Sequence, residues 1–379
     1  MFDFAVGQTN PETFPVEAFK RAAADAIDAE FSEMNQYPGG KGHLGLRKLM
    51  ARRESEREGV LVDPEKIALM NGSMQAVTLA GQALMDQPGD SVVTEAFTYS
   101  GTIAAYRGIG LKMEGIPVDE QGMRVDILAE KLDAMPIKPK FIYTLTSYQN
   151  PTGTTMPLER RLALIDLAEQ HHLPIVEDNC YGDVHFEGEK EPSLYALNPD
   201  PRHIYIGSLS KIFAPGVRLG YLMAEPPYFQ KIVSRRFDAG SNYFAASVLA
   251  KFYEDDLWGH CEHANAALKA KRDLLLDALE SSLSDICAWS RPVGGLFLWL
   301  RLPEDVDLDR LKQVTAEAGF FYAEGKDFNV TGEPVHYLRL AFGHVPNALI
   351  TQGIPVLAES IHRCRLSNAA REFEHLFDP

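Results

Sequence analysis

Short apolar runs alternate with amphipathic stretches over most of the chain, and this alternation predicts strands separated by helices. The runs are rich in β-branched residues and too short for helices, so they predict buried strands of a mostly parallel sheet built from βαβ units. The predicted strands are residues 67–70, 91–94, 141–145, 174–177, 203–206 and 219–223. The helices predicted in this part are residues 75–85, 158–171 and 260–281.

The pattern changes near the end of the long helix at 260–281. Strand-like runs at 288–289, 296–300 and 338–341 are interleaved with helices predicted at 308–318 and 354–364, which indicates a smaller α+β domain. We therefore expect an α/β protein with three parts. They are an N-terminal segment (1–45) that packs with the small domain and the active site, a large domain (46–284) and a small C-terminal domain (285–379).

Composition narrows the class of protein. Of 379 residues, 45% are hydrophobic and 24% are charged, which is typical of a folded globular chain. The 37 basic and 53 acidic residues leave a net charge of −16, so we expect neither nucleic acid nor a membrane as partner. The N-terminus lacks the pattern of a secretion signal, and the four cysteines are scattered. We therefore expect a cytoplasmic protein without disulfides or a metal site.

Polar residues recur just after the predicted strands, where ligands bind in open α/β sheets. Ser73 follows strand 67–70 in the segment 71–75, and Asp178 follows strand 174–177. Small polar residues at a helix N-terminus can hold a phosphate. Taken one at a time, Ser73 and Asp178 are more simply interpreted as helix caps, and the segment 147–153 as a turn.

The segment 208–220 carries the strongest chemical signal, because two hydroxyls, a lysine and an arginine follow one predicted strand. A lysine whose pKa is lowered by nearby cations can form a Schiff base with an aldehyde. Ser208, Ser210 and Arg218 can hold an anion beside Lys211, the arginine in bidentate fashion.

Taken in order, these motifs resemble those of the fold-type I pyridoxal-phosphate-dependent aminotransferases of class I and II. The similarity is greatest to the branch of the 2-aminoadipate and kynurenine aminotransferases and of the C-terminal domains of MocR-type regulators. It runs from about Phe4 to about His344. The resemblance implies a three-layer fold in which a large domain with a mostly parallel sheet binds pyridoxal 5′-phosphate, beside a smaller α+β domain.

The resemblance also implies a role for individual residues. Lys211 forms the aldimine with the cofactor and later moves the substrate proton, and Asp178 pairs with the ring nitrogen. Asn150 and Tyr181 hydrogen-bond the 3-oxygen of the ring. The residues implied to hold the phosphate are Ser73, Met74, Ser208, Ser210 and Arg218, with Tyr99 stacked on the ring and Tyr37 reaching the phosphate of a partner subunit. The residues implied to bind the substrate are Arg339, Gly7 and Asn150.

These roles imply a homodimeric aminotransferase that moves an amino group from an L-α-amino acid to a 2-oxo acid by a ping-pong mechanism. Two other functions stay open at this point: a β-lyase or decarboxylase that uses the same lysine, and a ligand-sensing domain of a regulator. The segment 323–328 departs from the pattern of the branch, so the identity of the amino acid is also open.

Overall fold

The computed structural model describes residues 1–198 and 200–366, and within these ranges the chain forms twelve α-helices and fifteen strands. The helices are α1 (Val16–Glu30), α2 (Leu44–Glu58), α3 (Ser73–Leu84), α4 (Ser100–Gly108), α5 (Val125–Ala134), α6 (Leu158–Gln170), α7 (Leu194–Leu197), α8 (Tyr228–Val233), α9 (Tyr243–Asp255), α10 (Gly259–Leu283), α11 (Leu308–Glu317) and α12 (Asn347–Arg363). The strands are β1 (Phe2–Asp3), β2 (Ile67–Met70), β3 (Ser91–Glu95), β4 (Lys112–Ile116), β5 (Val118–Asp119), β6 (Gly122–Met123), β7 (Ile142–Thr144), β8 (Ile175–Asp178), β9 (His203–Ser208), β10 (Gly220–Ala224), β11 (Ala288–Trp289), β12 (Phe297–Arg301), β13 (Phe320–Phe321), β14 (Ala323–Glu324) and β15 (Tyr337–Ala341).

Seven strands form the central sheet in the order β2-β10-β9-β8-β7-β3-β4. Neighbouring strands are parallel, except that β10 is antiparallel to both β2 and β9. The predicted mostly parallel sheet is therefore confirmed. The parallel strands end at one common edge, so the residues that follow them lie close together.

Helices cover both faces of this sheet. Successive residues of a strand point to opposite faces, and they join different apolar clusters here. Val176 belongs to the cluster that contains residues of α3, whereas Ile175 belongs to the cluster that contains residues of α5 and α6. The same alternation separates Val92 from Val93. The sheet and its two helical layers thus give the expected three-layer arrangement.

A second, antiparallel sheet has the strand order β11-β12-β15-β14. The buried leucines of β12 and β15 share an apolar cluster with α11, α12 and the end of α10. The helix α10 reaches both parts of the protein, because Leu268 lies in the large-sheet cluster and Leu275 and Leu279 lie in the second one. The domain boundaries proposed from the sequence remain a prediction.

The N-terminal segment divides between these two parts. Phe2 and Asp3 pair with Phe320 and Phe321 in a short parallel ladder of the C-terminal region. Helix α1 packs against α9, and its buried alanines belong to the large-sheet cluster. The segment therefore links the two parts across their junction.

Two helices begin earlier than predicted. Helix α3 begins at Ser73 instead of residue 75, which places Ser73 in its first turn. Helix α12 begins at Asn347 instead of residue 354 and continues through Pro355, since Ile350 and Ile354 are buried against the second cluster. Residues 367–379 of the predicted small domain lie outside the described residues. Across the described ranges, every helix is too short or too polar to cross a bilayer.

Candidate active site

A cavity of about 460 Å³ lies at the edge of the central sheet where the parallel strands end. Elements distant in sequence meet there. The strands β7, β8 and β9 are neighbours in the central sheet, and residues at or after their ends line the cavity together with Arg339 of β15 from the second sheet. The cavity brings together all but one of the residues to which the sequence assigned a role. They are Gly7, Ser73, Met74, Tyr99, Asn150, Asp178, Tyr181, Ser208, Ser210, Lys211, Arg218 and Arg339.

One end of the cavity is an anion cradle. Ser73 opens α3, so the N–H groups of Ser73 and Met74 have no partners within the helix. Gly72 precedes it at φ +80°, and a Cβ there would stand 2.6 Å from Arg218 Nη2. Ser208 Oγ accepts a hydrogen bond from the Ser210 amide at 3.2 Å. The missing side chain at Gly72 therefore lets the guanidinium approach the helix N-terminus.

Lys211 enters the cavity from the loop after β9. Its Nζ donates to the Gly7 carbonyl at 2.8 Å and lies 5.8 Å from the centre of the Tyr181 ring. Burial lowers the pKa of Lys211 to about 8, and the charges of Arg339 and Arg218 act in the same direction. A large share of this amine is therefore neutral, and so nucleophilic, near pH 8.

Asp178 ends β8 on the floor of the cavity. Its Oδ2 accepts a hydrogen bond from Tyr143 Oη at 2.7 Å, and its Oδ1 accepts the Cys180 amide at 3.3 Å. Burial raises the pKa of Asp178, while hydrogen bonds from Cys180 and Tyr143 oppose that rise. A cationic group placed in the cavity would stabilise the carboxylate further.

Arg339 lies at the junction with the second sheet. Its Nη1 donates to Asn150 Oδ1 at 3.0 Å and its Nη2 to the Ala5 carbonyl at 2.6 Å, but its buried Nε has no hydrogen-bond partner within the described residues. The guanidinium lies between the rings of Phe297 and Phe328, 4.4 and 4.6 Å from their centres. Burial lowers its pKa to about 10. Phe328, from the segment 323–328 that departs from the family pattern, thus packs against one face of the guanidinium.

Tyr37 is the predicted site residue that the cavity does not include. Its side chain is 88% exposed, and it lies before α2, outside the lining of the cavity. High exposure in the single chain is what we expect of a side chain that contacts a partner subunit, so the position of Tyr37 is compatible with that prediction.

Several lining residues were not predicted. They are Ala5, Val6, Ser100, Leu145, Cys180, Pro215 and Phe297. Most are apolar, and nothing in their local sequence distinguishes them from core residues. Cys180 is different, since it stands between Asp178 and Tyr181 and could have been assigned to the site by position. Tyr143 was also missed, because it reaches Asp178 from within a strand.

These residues fit pyridoxal 5′-phosphate. The cradle at Ser73 and Arg218 suits a phosphate, the amine of Lys211 suits an aldehyde, and the Asp178 carboxylate suits a protonated ring nitrogen. The orphaned Nε of Arg339 is a donor that a carboxylate could satisfy. The fold and site together define a lysine-dependent enzyme of the pyridoxal-phosphate type.

Comparison with known proteins gives the family. The model for aminotransferase class I and II matches residues 1–356. Aromatic-amino-acid aminotransferase 1 of Thermococcus litoralis is 35% identical over 95% of this chain and 88% of its own length. The crystal structure of the multiple substrate aminotransferase from Thermococcus profundus is similar at a TM-score of 0.91 with 34% identity, covering 96% of this chain and 91% of that one.

The α-aminoadipate aminotransferase of Thermus thermophilus was solved with N-(5′-phosphopyridoxyl)-L-leucine. It is similar at a TM-score of 0.90 with 29% identity, covering 96% of this chain and 92% of that one. The chain belongs to the aminotransferase class I and II family. The α/β fold, the transaminase class and the cofactor expected from the sequence are thereby confirmed.

Proposed function

We propose that this chain transfers the α-amino group of an L-α-amino acid to a 2-oxo acid, with Lys211 as the residue that attaches the cofactor and moves the proton. The observation that supports this most directly is a lysine of lowered pKa in one cavity with an anion cradle, a buried carboxylate and a partly unpaired arginine. When bound, pyridoxal 5′-phosphate supplies an electron sink for the electrons of the Cα–H bond.

Each residue of the cavity has a proposed task. Lys211, as a neutral amine, takes the proton from the substrate Cα and delivers it to the C4′ atom of the cofactor. Asp178 keeps the ring nitrogen of the bound cofactor cationic, and Asn150 and Tyr181 form hydrogen bonds with the 3-oxygen of that ring. The phosphate is held by Ser73, Met74, Ser208, Ser210 and Arg218, and Tyr99 stacks on the ring.

Arg339 is the proposed site for the α-carboxylate of the substrate, beside Asn150 and the backbone of Gly7. The guanidinium presents a planar pair of donors that matches a carboxylate. Ala5, Val6, Leu145 and Phe297 line the cavity with apolar surface. Together with the 35% identity to an aromatic-amino-acid aminotransferase, this lining supports aromatic amino acids as the best donors.

The functional unit is proposed to be a cytoplasmic homodimer. The cysteines within the described residues are free, which fits a reducing compartment. Tyr37 is 88% exposed and Phe237 is 96% exposed, so large aromatic surfaces are available to a second copy. In that copy, Tyr37 would contact the phosphate held by the first chain.

A complementation experiment tests the shared site. Neither the Tyr37→Ala nor the Lys211→Ala variant should show full activity alone. A mixed dimer should regain activity, because one of its two sites then contains both native residues. If mixing restores nothing although mixed dimers form, Tyr37 does not act across the interface.

The proposed reaction is tested on the purified protein in two steps. Borohydride reduction and peptide mapping should place the cofactor on Lys211. A panel of aromatic, acidic and small amino acids with 2-oxoglutarate or pyruvate should then show amino-group transfer, fastest with aromatic donors. Labelling at another lysine, or no transfer across the panel, would contradict the proposal, and release of ammonia or CO₂ without an acceptor would favour a lyase or decarboxylase.

A further inference from the structure

A buried tyrosine behind the cavity contacts the carboxylate that the proposed function assigns to the cofactor ring. Tyr143 lies in β7 with no exposed surface, and its Oη donates to Asp178 Oδ2 at 2.7 Å. The same oxygen lies 2.9 Å from Thr102 Oγ1 of α4. Because the phenol proton goes to Asp178, the threonine is the donor in the second bond. A chain of hydrogen bonds therefore runs from α4 through β7 to the end of β8.

We propose that Tyr143 is a positioning residue for transamination, which orients the Asp178 carboxylate toward the ring nitrogen of pyridoxal 5′-phosphate and keeps it ionised. This inference rests on the proposed function, in which Asp178 is the partner of that nitrogen. Tyr143 does not line the cavity, so it acts through Asp178 alone.

The register of the sheet explains why the two side chains meet. Tyr143 and Val176 are paired across β7 and β8, and Asp178 lies two residues beyond Val176 on the same face. The bond to Tyr143 anchors Oδ2, whereas Oδ1 accepts the longer bond from the Cys180 amide, and the Cys180 thiol also donates to this carboxylate. The carboxylate therefore has one fixed oxygen and one that retains accepting capacity toward the cavity.

The electrostatics agree with this geometry. Burial raises the pKa of Asp178, and the Tyr143 hydroxyl is one of the donors that oppose the rise. Burial and the charge of Asp178 keep the pKa of Tyr143 well above its ordinary value, so the phenol stays a donor at every physiological pH. Without that donor, Asp178 is protonated more easily, and a neutral acid cannot balance a cationic ring.

The chain provides a matched control for this hydroxyl. Tyr106 of α4 is equally buried, and its ring packs edge-on against Tyr143 with centroids 5.5 Å apart. The hydroxyl of Tyr106 has no hydrogen-bond partner within the described part of the chain. Tyr143→Phe and Tyr106→Phe therefore remove the same atom from the same apolar cluster, but only the first removes a contact to Asp178.

The test measures cofactor affinity of the apoenzyme for pyridoxal 5′-phosphate and for its 1-deaza analogue, in which carbon replaces the ring nitrogen. Tyr143→Phe should weaken binding of the natural cofactor about tenfold, the usual effect of losing one hydrogen bond to a charged group, and leave the analogue unaffected. Tyr106→Phe should change neither affinity. Thr102→Val removes the hydroxyl that donates to Tyr143. It should also reduce the preference for the natural cofactor over the 1-deaza analogue, but by less than Tyr143→Phe.

Asp178→Asn is the reference variant, because it should abolish the preference for the natural cofactor. If Asp178→Asn abolishes it but Tyr143→Phe does not alter it, the inference is wrong and the proposed function stands. If Tyr143→Phe weakens both ligands equally, the hydroxyl supports only the fold and the inference is also wrong. If Asp178→Asn leaves the preference unchanged, the proposed role of Asp178 fails and the inference fails with it.

Discussion

Two groups of buried charges each include an aspartate at or just after the end of β8, Asp178 or Asp183, and they are built in opposite ways. The first is the ion-pair cluster of Arg53, Glu54, Arg57 and Asp183, in which opposite charges face each other. Asp183 accepts a hydrogen bond from Arg53 Nε at 3.1 Å and lies 3.0 Å from Arg57 Nη1, and Arg57 also pairs with Glu54. The second is the cavity, where Lys211 and Arg339 donate hydrogen bonds to neutral oxygens and form no ion pair within the described residues.

The pKa values differ accordingly. In the ion-pair cluster, burial lowers the pKa of each arginine, but the charge of Asp183 and smaller contributions from neighbouring groups together outweigh it, and both arginines end above their ordinary value. Glu54 is the exception, since burial raises its pKa to about 7 despite Arg57. In the cavity, burial is not offset, and the pKa of Lys211 falls to about 8. The charges that stabilise the fold are ion-paired, whereas the two cations of the cavity are hydrogen-bonded to neutral groups only, within the described residues.

The largest expected effect tests whether the unpaired lysine is the chemical centre. Lys211→Ala removes the group that attaches the cofactor and moves the proton, so kcat should fall by about 10³-fold or more. The measurement is the steady-state rate with the best donor of the panel. Lys231→Ala, an exposed lysine of α8, should stay within a factor of two of wild type. Residual activity of a tenth or more in Lys211→Ala would contradict the proposed mechanism.

The next prediction applies one kind of substitution to both regions. Arg53→Met breaks a buried ion pair and leaves Asp183 with one of its two arginine partners, so it should destabilise the protein by about 3 kcal/mol. Lys211→Met removes a buried cation that forms no ion pair within the described ranges. Since each unit of pKa is worth about 1.4 kcal/mol, it should stabilise the apoenzyme at pH 7 by up to about 3 kcal/mol.

Urea unfolding of both apoenzyme variants measures this contrast. The sign for Lys211 follows from linkage: its folded pKa lies below the unfolded value, so wild-type stability should rise with pH between about 8 and 10.5, and the rise should vanish in Lys211→Met. Shifts of the same sign in the two variants would show that the regions do not differ as described.

A third prediction concerns the arginine of the cavity. Arg339→Gln should lower kcat/KM about 100-fold, because the substrate carboxylate loses a buried, charged donor pair. Arg339→Lys should recover only part of this, since an ammonium cannot present two parallel donors. Arg301, in the neighbouring strand β12, pairs at 3.6 Å with Glu304 and is exposed, so Arg301→Gln should change kcat/KM less than twofold. Equal losses in the two glutamine variants would remove Arg339 from the proposed role.

The cavity was more predictable from the sequence than its supports. Lys211, Asp178 and Ser73 follow strands whose apolar runs are readable, so their common edge could be inferred. Helix α2 could not be predicted, because its buried face carries Arg47, Arg53 and Glu54. Charged residues at buried positions interrupt the periodic pattern of apolar residues by which a helix is recognised. Paired buried charges resemble surface residues in the sequence until their partners are known, and a partner such as Asp183 lies far away along the chain.

The start of α3 shows a different limit. The turn Asn71-Gly72 suggested a helix from residue 75, whereas the helix begins at Ser73 directly after a glycine at φ +80°. Helix ends depend on which backbone groups find partners, and here Arg218 comes from a distant loop to the same place. Tyr143 was missed for the same kind of reason, since nothing in a buried strand distinguishes a tyrosine that contacts a carboxylate from one that only packs.

The smallest predicted effect concerns pH and sharpens the contrast between paired and unpaired charge. The rate at which the apoenzyme combines with pyridoxal 5′-phosphate should follow the neutral fraction of Lys211, because only the neutral amine attacks an aldehyde. With a pKa of about 8, the rate should fall about tenfold per pH unit below that value and level off above it. Stopped-flow absorbance between about pH 6.5 and 10 measures this.

Arg339→Gln provides the internal control for the pH profile. The charge of Arg339 helps to lower the pKa of Lys211, so removing it should move the midpoint of the profile upward. Arg53→Met, in the ion-pair cluster, should leave the midpoint in place, because its charge is balanced by Asp183. A wild-type midpoint near 10.5 would mean that burial does not lower the pKa of this amine, and the distinction between the two groups of charges would then rest on geometry alone.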